Sequence, residues 1–341
     1  MLLEPTEYLR GVLHKYIEDR VVFEVTQTSA HQQHKPHVLL FIGGLNDGLF
    51  TVPYVKPLAN ALKPSPWSLF WVELSSAHCG WGTSSLNKDI EQIAQSIQFI
   101  QKLQASRNPP GNKSKVVVMG HSTGCQDVLH YLHSPNPLGP QPGGLEDGLL
   151  HLIRPVVDGA IMQAPISDRE ELRMNLDRSP DPVDAWATYR ELVSLAKSQA
   201  STDLLPLHMT IKMKYRSDTA LSSYRFLSLA SPESPLVPSD DDKFSSDLPY
   251  QVLTETFGRI TRNGLLRDKL LVLYSQSDET VPDWVNKVEL LERWKEATNA
   301  EGVKWADESG LIPGAGHKVQ DEGQNWLITR VCFYLNRLEK T

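Results

Sequence analysis

The sequence predicts an α/β fold in which a mostly parallel central sheet is flanked by helices and interrupted by an inserted cap. Apolar runs of strand length alternate with amphipathic stretches of helix length, which is typical of βαβ units around a parallel sheet. The alternation stops near residue 165 and resumes near residue 266. A chain of 341 residues is long enough for one large α/β domain that carries an insertion. We therefore expect a core of residues 1–164 and 266–341 and a cap of residues 165–265.

Composition and charge argue against several classes of protein. The 34 Lys and Arg are outnumbered by 41 Asp and Glu, and the net charge of −7 disfavours a nucleic-acid-binding protein. The longest apolar runs, such as residues 38–42, are far too short to span a membrane, and residues 1–10 lack the pattern of a signal peptide. The three cysteines, Cys79, Cys125 and Cys332, are too few and odd in number for a disulfide framework. We expect a cytoplasmic protein with neither a nucleic-acid nor a membrane partner.

The amino-terminal part of the chain predicts three strands and a short helix. Residues 20–26 alternate apolar and polar side chains, as a half-exposed strand does. Residues 38–42 are continuously apolar, as expected of a strand buried on both faces, and run into the turn-rich loop 43–48. Residues 52–62 predict a short helix, and residues 67–74 predict the next strand.

The clearest helix covers residues 88–104. Its apolar side chains recur every three or four residues and form a single stripe of Ile90, Ile93, Ala94, Ile97, Ile100 and Leu103. Either Ser85 or Asn87 supplies a suitable amino-terminal cap. Residues 107–114 contain Pro and Gly and end the helix, and residues 115–119 predict a buried strand.

The remaining segments complete the pattern. Residues 134–148 are rich in Pro and Gly and predict a surface excursion. Within the cap, an amphipathic helix places Trp186 and Tyr189 on one face. Further strands are predicted at residues 156–162, 270–274 and 303–312, and a closing helix at residues 326–338.

A motif typical of nucleophilic catalysis lies between a predicted strand and a predicted helix. Gly120-His121-Ser122-Thr123-Gly124 follows strand 115–119 and precedes helix 125–132, which is the context that a G-x-S-x-G nucleophile elbow requires. The glycines allow a tight turn, and the helix amino terminus offers backbone N–H groups that stabilise an oxyanion. An ordinary helix cap is the alternative interpretation of Ser122.

Candidates for the base and its orienting acid follow later strands, in the chain order Ser, Asp, His that accompanies this elbow. A serine nucleophile needs a general base, and the base needs a carboxylate that orients it. Asp278 lies just past strand 270–274; its rival Asp283 follows a proline and is better suited to capping the next helix. His317 follows a glycine-rich bend after the final predicted strand, and a solvent-exposed loop histidine is the alternative interpretation.

On these motifs the chain resembles the α/β hydrolases from its first buried strand to its last helix, with only the cap diverging. More closely, it resembles the fungal family, long of unknown function, that includes intracellular esterases of fusarinine-type siderophores. The matching segments are residues 41–48, 120–124, 275–282 and 314–317. The resemblance implies a serine esterase with a catalytic triad of Ser122, Asp278 and His317. Its substrate would be a small-molecule ester, a ferric hydroxamate siderophore, cleaved in the cytosol to release iron, and it would need no metal or organic cofactor.

The oxyanion hole is expected to use the backbone N–H of Thr123 and a second N–H from the loop after the first buried strand. Many relatives have His-Gly in that loop, whereas this chain has Gly43-Gly44. By position, Leu45 is the expected second donor.

The substrate pocket and the class of function each have alternatives. Trp186 and Tyr189 are candidate substrate contacts, and packing within the cap is the other explanation for them. A general carboxylesterase or lipase is the alternative within the same class of enzyme. A catalytically inactive hydrolase scaffold that serves as a binding protein is the alternative from a different class.

Three further features have simpler explanations than a site. The spacing of His31, His34 and His37 is compatible with a metal, but no Cys or acidic partner stands close by, so we expect a solvated loop. Cys125 is expected to be a small packing residue rather than a second nucleophile. Residues 240–242, three consecutive aspartates, predict a solvated loop, with attraction of cationic substrates as the alternative.

Overall fold

The computed structural model describes residues 9–26, 34–140, 148–320 and 322–340. The strands within these ranges are β1 (Gly11–Ile17), β2 (Arg20–Val25), β3 (His37–Ile42), β4 (Trp67–Val72), β5 (Val116–His121), β6 (Gly159–Gln163), β7 (Leu270–Ser275) and β8 (Gly310–Ile312). The helices are α1 (Val55–Ala61), α2 (Leu86–Arg107), α3 (Gly124–His133), α4 (Asp168–Asp177), α5 (Pro182–Ser198), α6 (Leu207–Lys212), α7 (Ser223–Ala230), α8 (Tyr250–Thr256), α9 (Arg259–Asn263), α10 (Lys287–Asn299) and α11 (Gln324–Glu339).

All the strands belong to one sheet in the order β1-β2-β4-β3-β5-β6-β7-β8. The six strands from β4 to β8 in this order are parallel, and β1 and β2 add an antiparallel pair at one edge. The continuously apolar strands β3, β5 and β7 occupy interior positions, where helices cover both faces of the sheet. The carboxyl ends of parallel strands lie at one edge of a sheet, so the loops after β3, β5, β7 and β8 converge there. The predicted α/β fold class is confirmed.

The observed structure differs from the prediction in two strands. Strand β1 was not predicted, because it lies at the sheet edge and its side chains are largely exposed or half-buried, so they show no apolar pattern. The strand predicted at residues 303–312 is reduced to β8, preceded by a single bridge between Leu270 and Trp305. The long helix is α2, and Ser85 is its cap, since its hydroxyl accepts the N–H of Lys88 at 3.2 Å.

Helices α4 to α9 are inserted between β6 and β7. Part of this segment has its own apolar cluster, in which Leu192 of α5 and Phe226 of α7 are fully buried. The predicted amphipathic helix is α5. None of the described helices is long and apolar enough to cross a membrane.

The expectation of a solvated loop at residues 240–242 is wrong for two of the three aspartates. Asp241 is 2% exposed and accepts a hydrogen bond from Arg225 of α7 at 2.5 Å, and Asp242 pairs with Arg169 of α4 at 3.0 Å. Both arginines are themselves buried, so each needs a carboxylate partner to offset its lost hydration. Asp240 alone is exposed.

Of the three spaced histidines, His31 lies outside the described residues. So do residues 1–8 and residues 141–147, the second of which belong to the predicted surface excursion. His34 contacts the side-chain oxygen of Asn108 at 2.5 Å, and His37 begins β3. Among the residues that the structure describes, no three His, Cys, Asp or Glu side chains are grouped as a metal site would require.

Candidate active site

The turn between β5 and α3 holds Ser122 in a left-handed backbone conformation, with φ of 55°. Such a conformation is costly for a non-glycine residue and is typical of nucleophile elbows. Neighbouring backbone atoms lie so close to the two motif glycines that neither position has room for a side chain. A Cβ on Gly120 would lie 2.2 Å from the carbonyl oxygen of Gly124, and a Cβ on Gly124 would lie 2.6 Å from that of Ile42. The elbow is therefore specified by backbone crowding on both sides of the serine.

The structure brings the three predicted triad residues together in one hydrogen-bonded chain. The Oγ of Ser122 lies 2.9 Å from Nε2 of His317, and Nδ1 of His317 lies 2.9 Å from Oδ2 of Asp278. All three side chains are buried. The rival Asp283 is exposed and pairs with Arg178 instead. The geometry is that of a nucleophile, a base and an orienting acid.

The loops after β7 and β8 hold the acid and the base in place. Oδ1 of Asp278 accepts the backbone N–H of Thr280 at 3.1 Å and its hydroxyl at 2.6 Å. The backbone N–H of His317 donates to the carboxylate of Glu279 at 2.8 Å. The loop after β7 thus fixes Asp278 through Thr280 and His317 through Glu279.

The electrostatics of the pair suit a general base. Burial acts to lower the pKa of His317, but its hydrogen bond to Asp278 and the carboxylate charge outweigh burial and raise that pKa above 6.5. Burial likewise opposes ionisation of Asp278, yet the hydrogen bond from His317 lowers the pKa of this carboxyl below 3.8. Asp278 therefore stays ionised and stabilises the imidazolium that forms when His317 takes a proton.

The loop after β3 approaches the nucleophile closely enough to require glycine. A Cβ on Gly44 would lie 2.7 Å from Cβ of Ser122 and 3.1 Å from the backbone nitrogen of Thr123. The loop is closed by Asp47, whose carboxylate accepts the N–H of Gly44 at 3.0 Å and whose own N–H donates to the Gly44 carbonyl at 3.0 Å. The predicted oxyanion donors Leu45 and Thr123 both line the cavity that contains Ser122.

A second histidine, His121, lies behind the triad and is 1% exposed. Its Nδ1 lies 2.6 Å from Oε1 of Gln163, and its ring centroid lies 5.1 Å from that of His317. Burial, together with the charge that His317 can carry, lowers the pKa of His121 to about 4. His121 is therefore neutral at physiological pH and does not compete with His317 for a proton.

Ser122 faces a cavity of about 250 Å³ between the sheet edge and the inserted helices. Its polar lining includes Asn46, Asp47, His121, Thr123, Asp168, Glu171, Asn175, Lys214, Arg216, Thr280, His317 and Lys318, and its apolar lining includes Leu45, Trp81, Leu172, Met213 and Leu229. The predicted substrate contacts Trp186 and Tyr189 do not line it. Tyr189 packs edge-on against Trp186 and Phe226 among the inserted helices, because α5 turns this face toward α7.

Sequence analysis missed two acidic residues of this cavity, Asp168 and Glu171, in the first turn of α4. Acidic residues there are typical of any helix amino terminus, and the cap hydroxyl of Ser167 accepts the N–H of Glu170 at 3.1 Å. The pattern therefore did not indicate that these residues line a cavity. Their position there follows only from the packing of the inserted helices.

Cys125 is a packing residue, as expected. It is fully buried on α3, and its sulfur contacts the carbonyl oxygens of Gly120 and Gln163 at 3.4 and 3.1 Å. Burial raises the pKa of its thiol well above the usual value, which makes it a poor nucleophile.

The chain is similar to several known proteins over nearly its whole length. The family model described as protein of unknown function DUF1749 matches residues 2–336. The chain is 45% identical to fusarinine C esterase sidJ of Aspergillus fumigatus over 354 residues, which covers 98% of each chain. A solved structure of siderophore hydrolase EstB from Aspergillus fumigatus superposes with a TM-score of 0.85 at 43% identity, covering 99% of this chain and 100% of that one. An α/β-hydrolase-fold protein of unknown function matches with a TM-score of 0.59 at 16% identity over 98% of each chain, a likeness of fold alone.

Proposed function

Because this chain belongs to the DUF1749 family and is a carboxylic ester hydrolase with the α/β-hydrolase fold, we propose that it cleaves the ester bonds of a fusarinine-type hydroxamate siderophore through an acyl-enzyme on Ser122. The mechanism rests on the continuous hydrogen-bonded chain from Ser122 through His317 to Asp278. Ser122 and His317 line the cavity in which a substrate would bind. The names of the two close relatives support the substrate class.

In the acylation step, His317 accepts the hydroxyl proton of Ser122 at Nε2 while Oγ attacks the ester carbonyl carbon. Asp278 holds Nδ1–H of the imidazole and stabilises the positive charge that develops on it. The backbone N–H groups of Leu45 and Thr123 stabilise the negative charge on the carbonyl oxygen of the tetrahedral intermediate. His317 then returns its proton to the departing alcohol oxygen, and the acyl group stays on Ser122.

In the deacylation step, His317 removes a proton from a water molecule that attacks the acyl carbon. The second tetrahedral intermediate uses the same oxyanion donors and collapses to release the acid and restore Ser122. None of these steps needs a group beyond the residues named and water.

We place this reaction in the cytoplasm and take the ferric siderophore as its substrate, with residues 165–265 acting as a cap that shapes the binding cavity. All three cysteines are free, and Cys79 is exposed, which suits a reducing compartment. Ester cleavage would loosen a multidentate iron ligand into weaker fragments and so release its metal.

A hydrolysis assay tests this proposal. Purified protein would be incubated with iron-loaded and iron-free fusarinine C and, separately, with p-nitrophenyl esters, and the products would be resolved by mass spectrometry. We expect siderophore hydrolysis with the higher kcat/KM and its loss in Ser122→Ala. Hydrolysis of p-nitrophenyl esters alone would indicate a general carboxylesterase. No hydrolysis, with no labelling of Ser122 by a fluorophosphonate, would indicate a binding protein.

A further inference from the structure

A carboxylate without a protein partner lines the cavity above Ser122. Glu171 stands in the first turn of α4 and is partly exposed to this cavity. Within the described part of the chain, no Lys, Arg or His nitrogen lies within 4.0 Å of its carboxylate, and no donor is hydrogen-bonded to it. An acidic group enclosed in this way favours a cationic ligand.

A second carboxylate stands beside it on the same helix face. Asp168 is three residues before Glu171, which places the two side chains next to each other on α4. One oxygen of Asp168 accepts a hydrogen bond from the side-chain amide of Gln126 on α3 at 2.6 Å, which fixes its position. Burial raises the pKa of Glu171 to about 7 and raises that of Asp168 well above its usual value, so both are poorly hydrated.

His121 adds an independent, unsatisfied acceptor to the same cavity. The side-chain amide nitrogen of Gln163 donates to Ser275 at 3.2 Å, so its oxygen faces Nδ1 of His121, which carries the proton. Nε2 of His121 is then an acceptor, and it has no hydrogen-bond partner among the described residues. This acceptor is buried at the edge of the cavity, 3.9 Å from Oδ2 of Asp47, and remains unpaired until a donor reaches it.

Among the described residues of the lining, no cation forms an ion pair with Asp168 or Glu171, although the charge that His317 can carry acts on Glu171. Arg216 is occupied by a bidentate contact with Asp218, and Lys318 lies 3.9 Å from Asp47. Lys214 also lines the cavity, but its ammonium is more than 4.0 Å from the Glu171 carboxylate.

We propose that Glu171 is a specificity-determining residue that binds a primary ammonium group next to the scissile carbonyl of the substrate. This proposal rests on the esterase function proposed above. In an α-amino ester the nitrogen lies about 2.5 Å from the carbonyl carbon, by two bond lengths. That carbon must come within about 3–3.5 Å of Ser122 to react, so the ammonium has to enter this cavity. Acetylation of the amine removes its charge and leaves the Glu171 carboxylate without an ionic partner.

The test compares the amino-bearing and the N-acetylated forms of fusarinine C. For each enzyme variant the measured quantity is the ratio of kcat/KM for the amino form to that for the acetylated form. We expect Glu171→Gln, which removes the charge at nearly constant shape, to lower this ratio at least about tenfold. Glu171→Asp keeps the charge and should retain most of the ratio. The matched control is Glu191→Gln, which makes the same change of charge on the exposed face of α5 and should leave the ratio unchanged.

Thermal unfolding of each variant checks that it folds, and Ser122→Ala provides a binding readout. With chemistry blocked in the Ser122→Ala background, calorimetry should show tighter binding of the amino form and loss of that difference on adding Glu171→Gln. An active enzyme whose ratio is the same in Glu171→Gln as in the unmodified protein would overturn the assignment of Glu171 and leave the esterase function intact. An enzyme that cleaves neither ester would overturn the proposed function itself.

Discussion

At the scale of single residues, Asp278 acts on the reaction only through His317, and this determines what its replacement will do. Asp278→Asn keeps the shape but presents an amide to Nδ1, which favours the wrong imidazole tautomer. We expect kcat to fall by up to about 10⁴-fold with the fold intact. Ser122→Ala and His317→Ala should each lower kcat by several orders of magnitude, and the double variant should be little worse than either single one.

Steady-state kinetics with a p-nitrophenyl ester, together with thermal unfolding, checks this prediction. If Ser122→Ala retained more than about a tenth of the activity, Ser122 would not be the nucleophile.

The raised pKa of His317 fixes the direction of the pH dependence. The base must be neutral to accept a proton from Ser122, and the folded-state pKa lies above 6.5. Activity is therefore expected above that pKa and should be lost as the pH falls through it. In Asp278→Asn the opposing effect of burial remains without the carboxylate, so the residual activity should persist to lower pH.

The pH dependence of kcat/KM, measured in both proteins, tests this prediction. A neutral p-nitrophenyl ester is used because it has no amino group that would titrate in the same range. An acid limb at the same pH in both proteins would contradict the assigned role of Asp278.

At the scale of structural elements, buried ion pairs join α4 and α7 to the segment that follows α7. Asp241→Ala would leave the Arg225 guanidinium buried without its carboxylate, which typically costs about 3–5 kcal/mol. Its neighbour Asp240 is exposed and accepts only the hydroxyl of Tyr224, at 2.7 Å. Asp240→Ala should therefore change the free energy of unfolding by less than about 1 kcal/mol.

Urea unfolding of the two variants tests this contrast, since both remove one acidic group from the same loop. Equal destabilisation by Asp240→Ala and Asp241→Ala would show that the buried pair contributes nothing beyond the general charge of the loop.

The elements that could be predicted from the sequence are those with the most buried side chains. Strands β3, β5 and β7 and helix α2 were evident because burial on both faces, or on one stripe, imposes a visible apolar pattern. Strand β1 lies at the sheet edge, and its side chains, such as His14 paired with Glu24 of β2 at 2.7 Å, follow no apolar alternation that would mark it. Strand β8 is only three residues long, and the rest of its predicted range contains exposed groups such as Val303.

At the scale of the whole molecule, the three triad candidates could be predicted because each follows a recognisable strand and the parallel sheet brings those ends together. The wall of the cavity could not be predicted in this way. Glu171 and Asp168 face Ser122 only because α4 packs across the carboxyl edge of the sheet, and no periodicity within α4 encodes that contact. The same holds for Trp186 and Tyr189, whose amphipathic spacing accompanies packing among the inserted helices and does not place them on the lining of the cavity.

The left-handed backbone of Ser122 has a consequence for the stability of the whole protein. An L-residue there is disfavoured by roughly 1 kcal/mol relative to glycine, so Ser122→Gly should raise the free energy of unfolding by about that amount over Ser122→Ala. Urea unfolding compares two inactive proteins that have both lost the hydroxyl, and equal midpoints would show that the elbow stores no strain. If the difference appears, the position that must carry the nucleophile is one where any side chain costs stability. The requirement for a reactive serine would then oppose the backbone preference of the turn that holds it.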